Sequence, residues 1–181
     1  FNPQYIHLAD IDGSGTTDII YTGQNKIQVW FNQSGNSLSD PDEFFNPFPQ
    51  IDNQSKISFV DLLGNGTSCL VWSSPLPAYA NTPLRYIDFM KGKKPHVMFR
   101  YVNNLGKEVK LEYKSSSQYY LEDKSNGKKW ITKLPFPVQC VSKVVVEDKV
   151  SKPRFANAYS YHHEYYDSIE REFRGFAKVE Q

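Results

Sequence analysis

One stretch constrains this chain more than any other: Asp10-Ile11-Asp12-Gly13-Ser14-Gly15-Thr16-Thr17-Asp18. Oxygen-bearing side chains fall at loop positions one, three, five and nine. A hard cation such as calcium takes six to eight oxygens at about 2.3–2.6 Å. Asp10, Asp12 and Asp18 offer carboxylates, Ser14 a hydroxyl and Thr16 its backbone carbonyl. Gly13 and Gly15 allow the tight turn that a Cβ would obstruct. An EF-hand needs flanking helices and a Glu at position twelve. Here that position is Tyr21, and the flanks, Leu8-Ala9 and Ile19-Ile20-Tyr21, favour strands. The expectation is a β-loop-β turn that holds calcium. The plainer reading, Asp and Gly as turn residues alone, stands beside it.

A second copy runs from Phe59 to Trp72 and matches the first without gaps. Asp61 keeps position one and Asn65 position five, but position three is Leu63 and position nine Cys69. Two carboxylates are lost, so this copy is expected to keep the turn without the ion. The spacing resembles that of FG-GAP (VCBS-type) repeats of β-propellers. A repeat at a period of about fifty residues points to propellers or solenoids. Two copies cannot close a propeller, because neighbouring blades must bury each repeat's faces.

At 181 residues the chain has room for one domain or two small ones. Hydrophobic residues at 39% and aromatics at 15% supply a core. A formal net charge of +1 argues against a dedicated nucleic-acid surface. No apolar run reaches the roughly 20 residues of a membrane helix. The chain begins at Phe1 without a signal peptide, which reads as a piece of a longer protein. Cys69 and Cys140 make no disulfide framework, and both sit in apolar strand-like runs, where buried free thiols are expected.

Long amphipathic helical patterns are missing. Short runs of Val, Ile, Tyr, Phe and Thr alternate with Gly, Pro, Asn and Asp turns, an all-β pattern. Residues 26–31 close the first repeat as a strand, and 32–54 read as a long polar connection. Strands are expected at 57–60, 68–72 and 84–90. The Gly92-Lys93-Lys94-Pro95 segment looks like a boundary, giving propeller-like blade repeats over 1–91 and antiparallel hairpins over 92–181. The hairpins pair 97–103 with 108–114, and 119–122 with 129–132. The longest strand spans 137–149 with Val138, Cys140, Val144 and Val146 on one face. Runs at 156–166 and 172–180 end the chain.

The second half carries the more specific motifs. They are Lys114-Ser115-Ser116 with Tyr119-Tyr120-Leu121, Leu134-Pro135-Phe136-Pro137-Val138, Tyr161-His162-His163-Glu164-Tyr165-Tyr166-Asp167 and Glu170-Arg171-Glu172-Phe173-Arg174-Gly175-Phe176. Together they resemble the B component of insecticidal toxin complexes and the related plasmid virulence protein SpvB. Glu164 stands where that family usually has Gly. The resemblance implies a propeller that docks on a pore-forming A-like component. It also implies an Rhs-type β-shell, closed with a C-like component around an enclosed effector domain, in a secreted protein. This chain would then cover the end of the propeller and the first shell strands, with enzymatic activity lying elsewhere.

Residues that look chemical have plainer readings. Adjacent strand residues point to opposite faces, so His162 and His163 cannot easily share an ion. Glu170, Glu172 and Arg174 fit ion pairs better than a carboxylate pair for glycoside hydrolysis. Ser73-Ser74-Pro75 lacks a nucleophile elbow, and no glycine-rich phosphate loop is present. Lys91, Lys93 and Lys94 read as a solvated turn. The expected function is structural and non-enzymatic, with no catalytic residues. The competing class is a free-standing, calcium-dependent adhesin-like module for protein or glycan.

Overall fold

The computed structural model describes residues 2–49, 51–132 and 134–181. The chain is all-β with antiparallel sheets. It divides into two compact units, 1–63 with 67–95, and 64–66 with 96–181.

The first unit holds two sheets. A short 3-10 turn, Pro3–Tyr5, leads into β1 (Ile6–Ala9), followed by β2 (Asp18–Thr22), β3 (Lys26–Trp30) and β4 (Asp42–Phe45), which pair in that order. A second sheet follows: β5 (Lys56–Val60), β6 (Cys69–Ser73) and β7 (Leu84–Ile87). The two opening hairpins share one register. Ile6 faces Tyr21 in the first, and Ile57 faces Trp72 in the second; Leu8 faces Ile19, and Phe59 faces Leu70. Their turn glycines also correspond, with positive φ at Gly13 and Gly15 and again at Gly64 and Gly66. The repeat read from sequence is therefore a repeat of hairpin geometry. Both sheets contribute to one core of Ile11, Ile20, Ile27, Val29, Phe48, Leu70, Trp72 and Phe89. The segment 32–54 is not wholly connection. It contains β4, whose Phe44 packs on this core edge-to-face against Phe89.

The second unit holds a four-stranded sheet, a helix and a hairpin. β8 (Arg100–Val102), β9 (Lys107–Ser115), β10 (Gln139–Asp148) and β11 (Arg154–Ala158) form the sheet in the order β11-β10-β9-β8. Among the described residues, β12 (Ser160–Asp167) pairs only with β13 (Glu172–Glu180). The expected hairpin of 119–122 with 129–132 does not form: 119–122 lie in a helix, α1 (Ser116–Ser125), and 129–132 are in neither helix nor strand. The buried residues of α1 are Ser116, Tyr119 and Asp123, which lie on one face. Two of the three are polar, so hydrophobic periodicity could not reveal it. Ser115 caps it, accepting the Gln118 amide at 3.3 Å.

A bulge corrects the expected face of β10. The register shifts between Val141 and Lys143. Cys140 therefore pairs with Lys114 and shares its face with Lys143 and Val145, while Val144 and Val146 point the other way. The single run expected at 156–166 is two strands in different sheets. They divide at Tyr159, whose amide donates to the Ser142 carbonyl at 2.8 Å and whose carbonyl accepts the Tyr119 hydroxyl at 2.9 Å.

Candidate functional site

The loop between β1 and β2 draws Asp10, Asp12 and Asp18 together, with a carboxylate oxygen of each within 4.8 Å of the others. Asp18 is fully buried and Asp12 nearly so. Asp18 receives the Ile11 and Asn32 amides, each at 2.8 Å. Asp10 and Asp12 both accept the Ser14 amide, and Asp10 also accepts that of Gly15. Each carboxylate oxygen can accept a second bond, so these contacts leave coordination capacity. Burial pushes the Asp18 carboxyl up; its two amide bonds oppose this, and the charges of Asp12 and Asp10 add to it. Three crowded acids with spare lone pairs fit a divalent cation. Of the other two expected ligands, the Ser14 hydroxyl lies 2.9 Å from the Thr16 hydroxyl, which donates to the Asn32 carbonyl; the ligand expected of Thr16 is its backbone carbonyl, which these bonds do not engage.

Lys94 is not a solvated turn residue. Its Nζ donates to the Gly13 carbonyl at 2.6 Å and the Asp12 carbonyl at 3.4 Å, which braces the loop from outside. No local spacing signals a partner 81 residues away.

In the second hairpin Cys69 takes the place of Asp18. Burial pushes its thiol up, while the Leu62 amide bond lowers it. The Cys140 thiol is pushed up to about 12, first by burial and then by Glu164. Both cysteines are free and buried. Neither is a ready nucleophile, because the thiolate is the reactive form.

A second polar cluster went unseen in the sequence. Asp123 Oδ2 accepts the Trp130 indole N–H at 2.7 Å and lies 2.5 Å from His162 Nδ1. His162 Nε2 lies 3.3 Å from Glu180. Burial opposes ionisation of Asp123, but the His162 and Trp130 bonds outweigh it and hold the carboxyl below its usual value. His163, with φ of 58°, accepts the Ile131 amide at 3.4 Å. The two histidines thus have separate structural partners. Arg174 lies 3.1 Å from Glu172 and 4.0 Å from Asp167, the ion pairing expected of that segment.

On the four-stranded sheet one face is charged. Glu108, 5% exposed, meets Lys149 at 2.8 Å and Arg100 at 2.6 Å, and these bonds pull its carboxyl down to about 2. The opposite face is apolar: Phe155, Val146, Val109 and Tyr101 stand in one row across four strands.

The family model for the middle/N-terminal region of insecticide toxin TcdB matches residues 32–181. The chain belongs to this family. Solved structures agree over nearly all of it. The TcdB2-TccC3 crystal structure has 32% identity and a TM-score of 0.82, covering 99% of this chain and 9% of that one. The Photorhabdus luminescens Tc holotoxin pore has 33% identity and a TM-score of 0.82, covering 99% of this chain and 8% of that one. TcdB2-TccC3 also matches in a form without its hypervariable C-terminal region. No curated protein matches. The chain is therefore a segment of a toxin-complex component, spanning about a tenth or less of its solved TcdB-family relatives. Among the described residues, no helix is long and apolar enough to cross a membrane.

Proposed function

We propose that this segment is a non-enzymatic wall and brace of a secreted toxin-complex B component. Its first unit supplies propeller blades that dock on an A-like pore-forming partner. Its second unit supplies shell strands that, with a C-like component, enclose an effector domain. A calcium ion held by Asp10, Asp12 and Asp18, with Ser14 and Thr16 completing the shell, stiffens the first blade turn.

The observation that carries this reading is the pair of in-register hairpins packed on one core, in a chain of the TcdB family. Two features of the second unit support it. One sheet face is held by ion pairs, and the other leaves Phe155 65% exposed. The row is buried at Val109 and open at its two ends, Phe155 and Tyr101, and exposed aromatic ends of that kind suit a surface covered in a larger assembly. The residues that look chemical are engaged in packing or hydrogen bonds, and both thiols sit above the reactive range.

A photo-reactive phenylalanine analogue at position 155 of the full-length protein tests the reading. Illumination of the assembled toxin is expected to join this position to toxin-complex chains. The adhesin-like alternative expects cross-links to host glycoprotein, together with retained glycan or cell binding by the isolated chain. Either result would replace the structural reading.

A further inference from the structure

We infer that the recess at the C-terminal end of α1 is a binding site for a small organic polyanion. The ligand class is a planar ring joined to phosphate groups, the chemistry of a nucleoside polyphosphate. The recess has a volume of about 460 Å³ and is lined by Tyr120, Lys124, Gly127, Lys128, Lys129 and Trp130. Small-molecule sites run from about 300 to 1,000 Å³.

The walls are fixed before any ligand arrives. Tyr120 and Trp130 meet edge-to-face at 5.6 Å. The Trp130 indole is tied to Asp123 at 2.7 Å, so its ring cannot swing. Gly127, at φ of 77°, turns the chain back so that Lys128 and Lys129 follow directly on the helix end. Fixed walls reduce the ordering cost of binding.

Two of the three lysines, Lys124 and Lys129, have no evident structural task among the described residues. Cations at a helix end usually serve its free carbonyls. Three of the last four carbonyls are already taken by backbone amides: Asn126 donates to Glu122, Gly127 to Lys124 and Lys128 to Asp123. Lys128 lies 3.8 Å from Asp123, while Lys124 and Lys129 have no ion-pair partner among the described residues. Glu122, the nearest exposed acid in sequence, is held by Lys114 at 2.5 Å. None of the lining residues is acidic. Lys124 and Lys129, with Lys128 shared with Asp123, thus stand beside the half-buried Tyr120 ring in a positive recess to which Trp130, 7% exposed, contributes only a small part of its surface. Ammonium groups hold phosphate as point charges, and aromatic faces and edges receive a planar ring.

Calorimetric titration of the 181-residue chain with ATP, adenosine and tripolyphosphate tests this. ATP is expected to bind saturably, with adenosine and tripolyphosphate each about tenfold weaker or more. ATP is also expected to shift the Trp130 indole N–H resonance. The double change Lys124→Gln with Lys129→Gln should weaken ATP about tenfold and leave the melting temperature unchanged, since both side chains are exposed. Tripolyphosphate binding as well as ATP would reduce the site to a basic surface and overturn the ring-binding assignment. Undiminished ATP binding by the double variant, or no saturable binding by the native chain, would overturn it altogether.

Discussion

Asp18 shows how one residue serves two ends. Its buried carboxylate receives two backbone amides and so closes the β1–β2 turn, yet it stands beside two further acids. A bound cation would relieve that repulsion and raise stability by mass action. Calcium added to chelator-treated protein is expected to raise the melting temperature, and Asp12→Ala to abolish the rise. An unchanged melting temperature in the native chain would remove calcium from the proposal. Asp123 gives a different dependence. Its folded pKa is lowered, so its contribution is present above the unfolded value of about 3.9 and lost as pH falls through the folded one. Asp123→Asn is therefore expected to melt below the native chain at pH 7, with the gap closing below about pH 4. A gap that persists in acid would show that packing, not charge, sets the cost. The aspartate-glycine turn was legible in the sequence because its three acids and two glycines fall within nine residues, 10–18. The Asp123–Trp130–His162 cluster was not, because its members come from a helix, a loop and a strand.

At the level of elements, alternation and turn chemistry revealed most strands: β1, β2, β3 and β7 alternate in burial along their length, whereas β8 and β11 are exposed throughout. β6 is buried along nearly its whole length, and only its hydrophobic run marked it. α1 was hidden because its buried face carries two polar residues. The signal present was its cap: Ser115 opens the helix and Gly127 follows its end. Loss of that cap should be felt. Ser115→Ala is expected to cost about 1 kcal/mol, a fall in melting temperature of about 2–4 °C for a chain of this size. Thermal unfolding followed by circular dichroism checks it, and no fall would mean that the Ser115 side chain adds nothing to the helix start. The β10 bulge escaped notice for another reason. One extra residue exchanges the two faces beyond it, and nothing in the run from Val141 to Val146 marks where that residue sits.

Across the whole molecule, two separate sets of buried side chains sustain the fold. One joins Ile11, Ile20, Leu70, Trp72 and Phe89 within the first unit. The other joins Tyr119, Trp130 and Cys140 within the second. A small, tightly shared core makes cooperative unfolding; separate cores allow each unit to open on its own. Trp72, 1% exposed, packs edge-to-face on Tyr79 in the first core. Trp72→Ala should cost about 3–5 kcal/mol, enough to open the unit that contains it. Hydrogen exchange is expected to lose protection at β2, β3 and β6 while β9, β10 and β12 keep theirs. Equal loss in both sets would mean that the chain unfolds as one body. It would also remove the physical basis for assigning its two parts different tasks in a toxin complex, since a blade and a wall that cannot open separately are a single element.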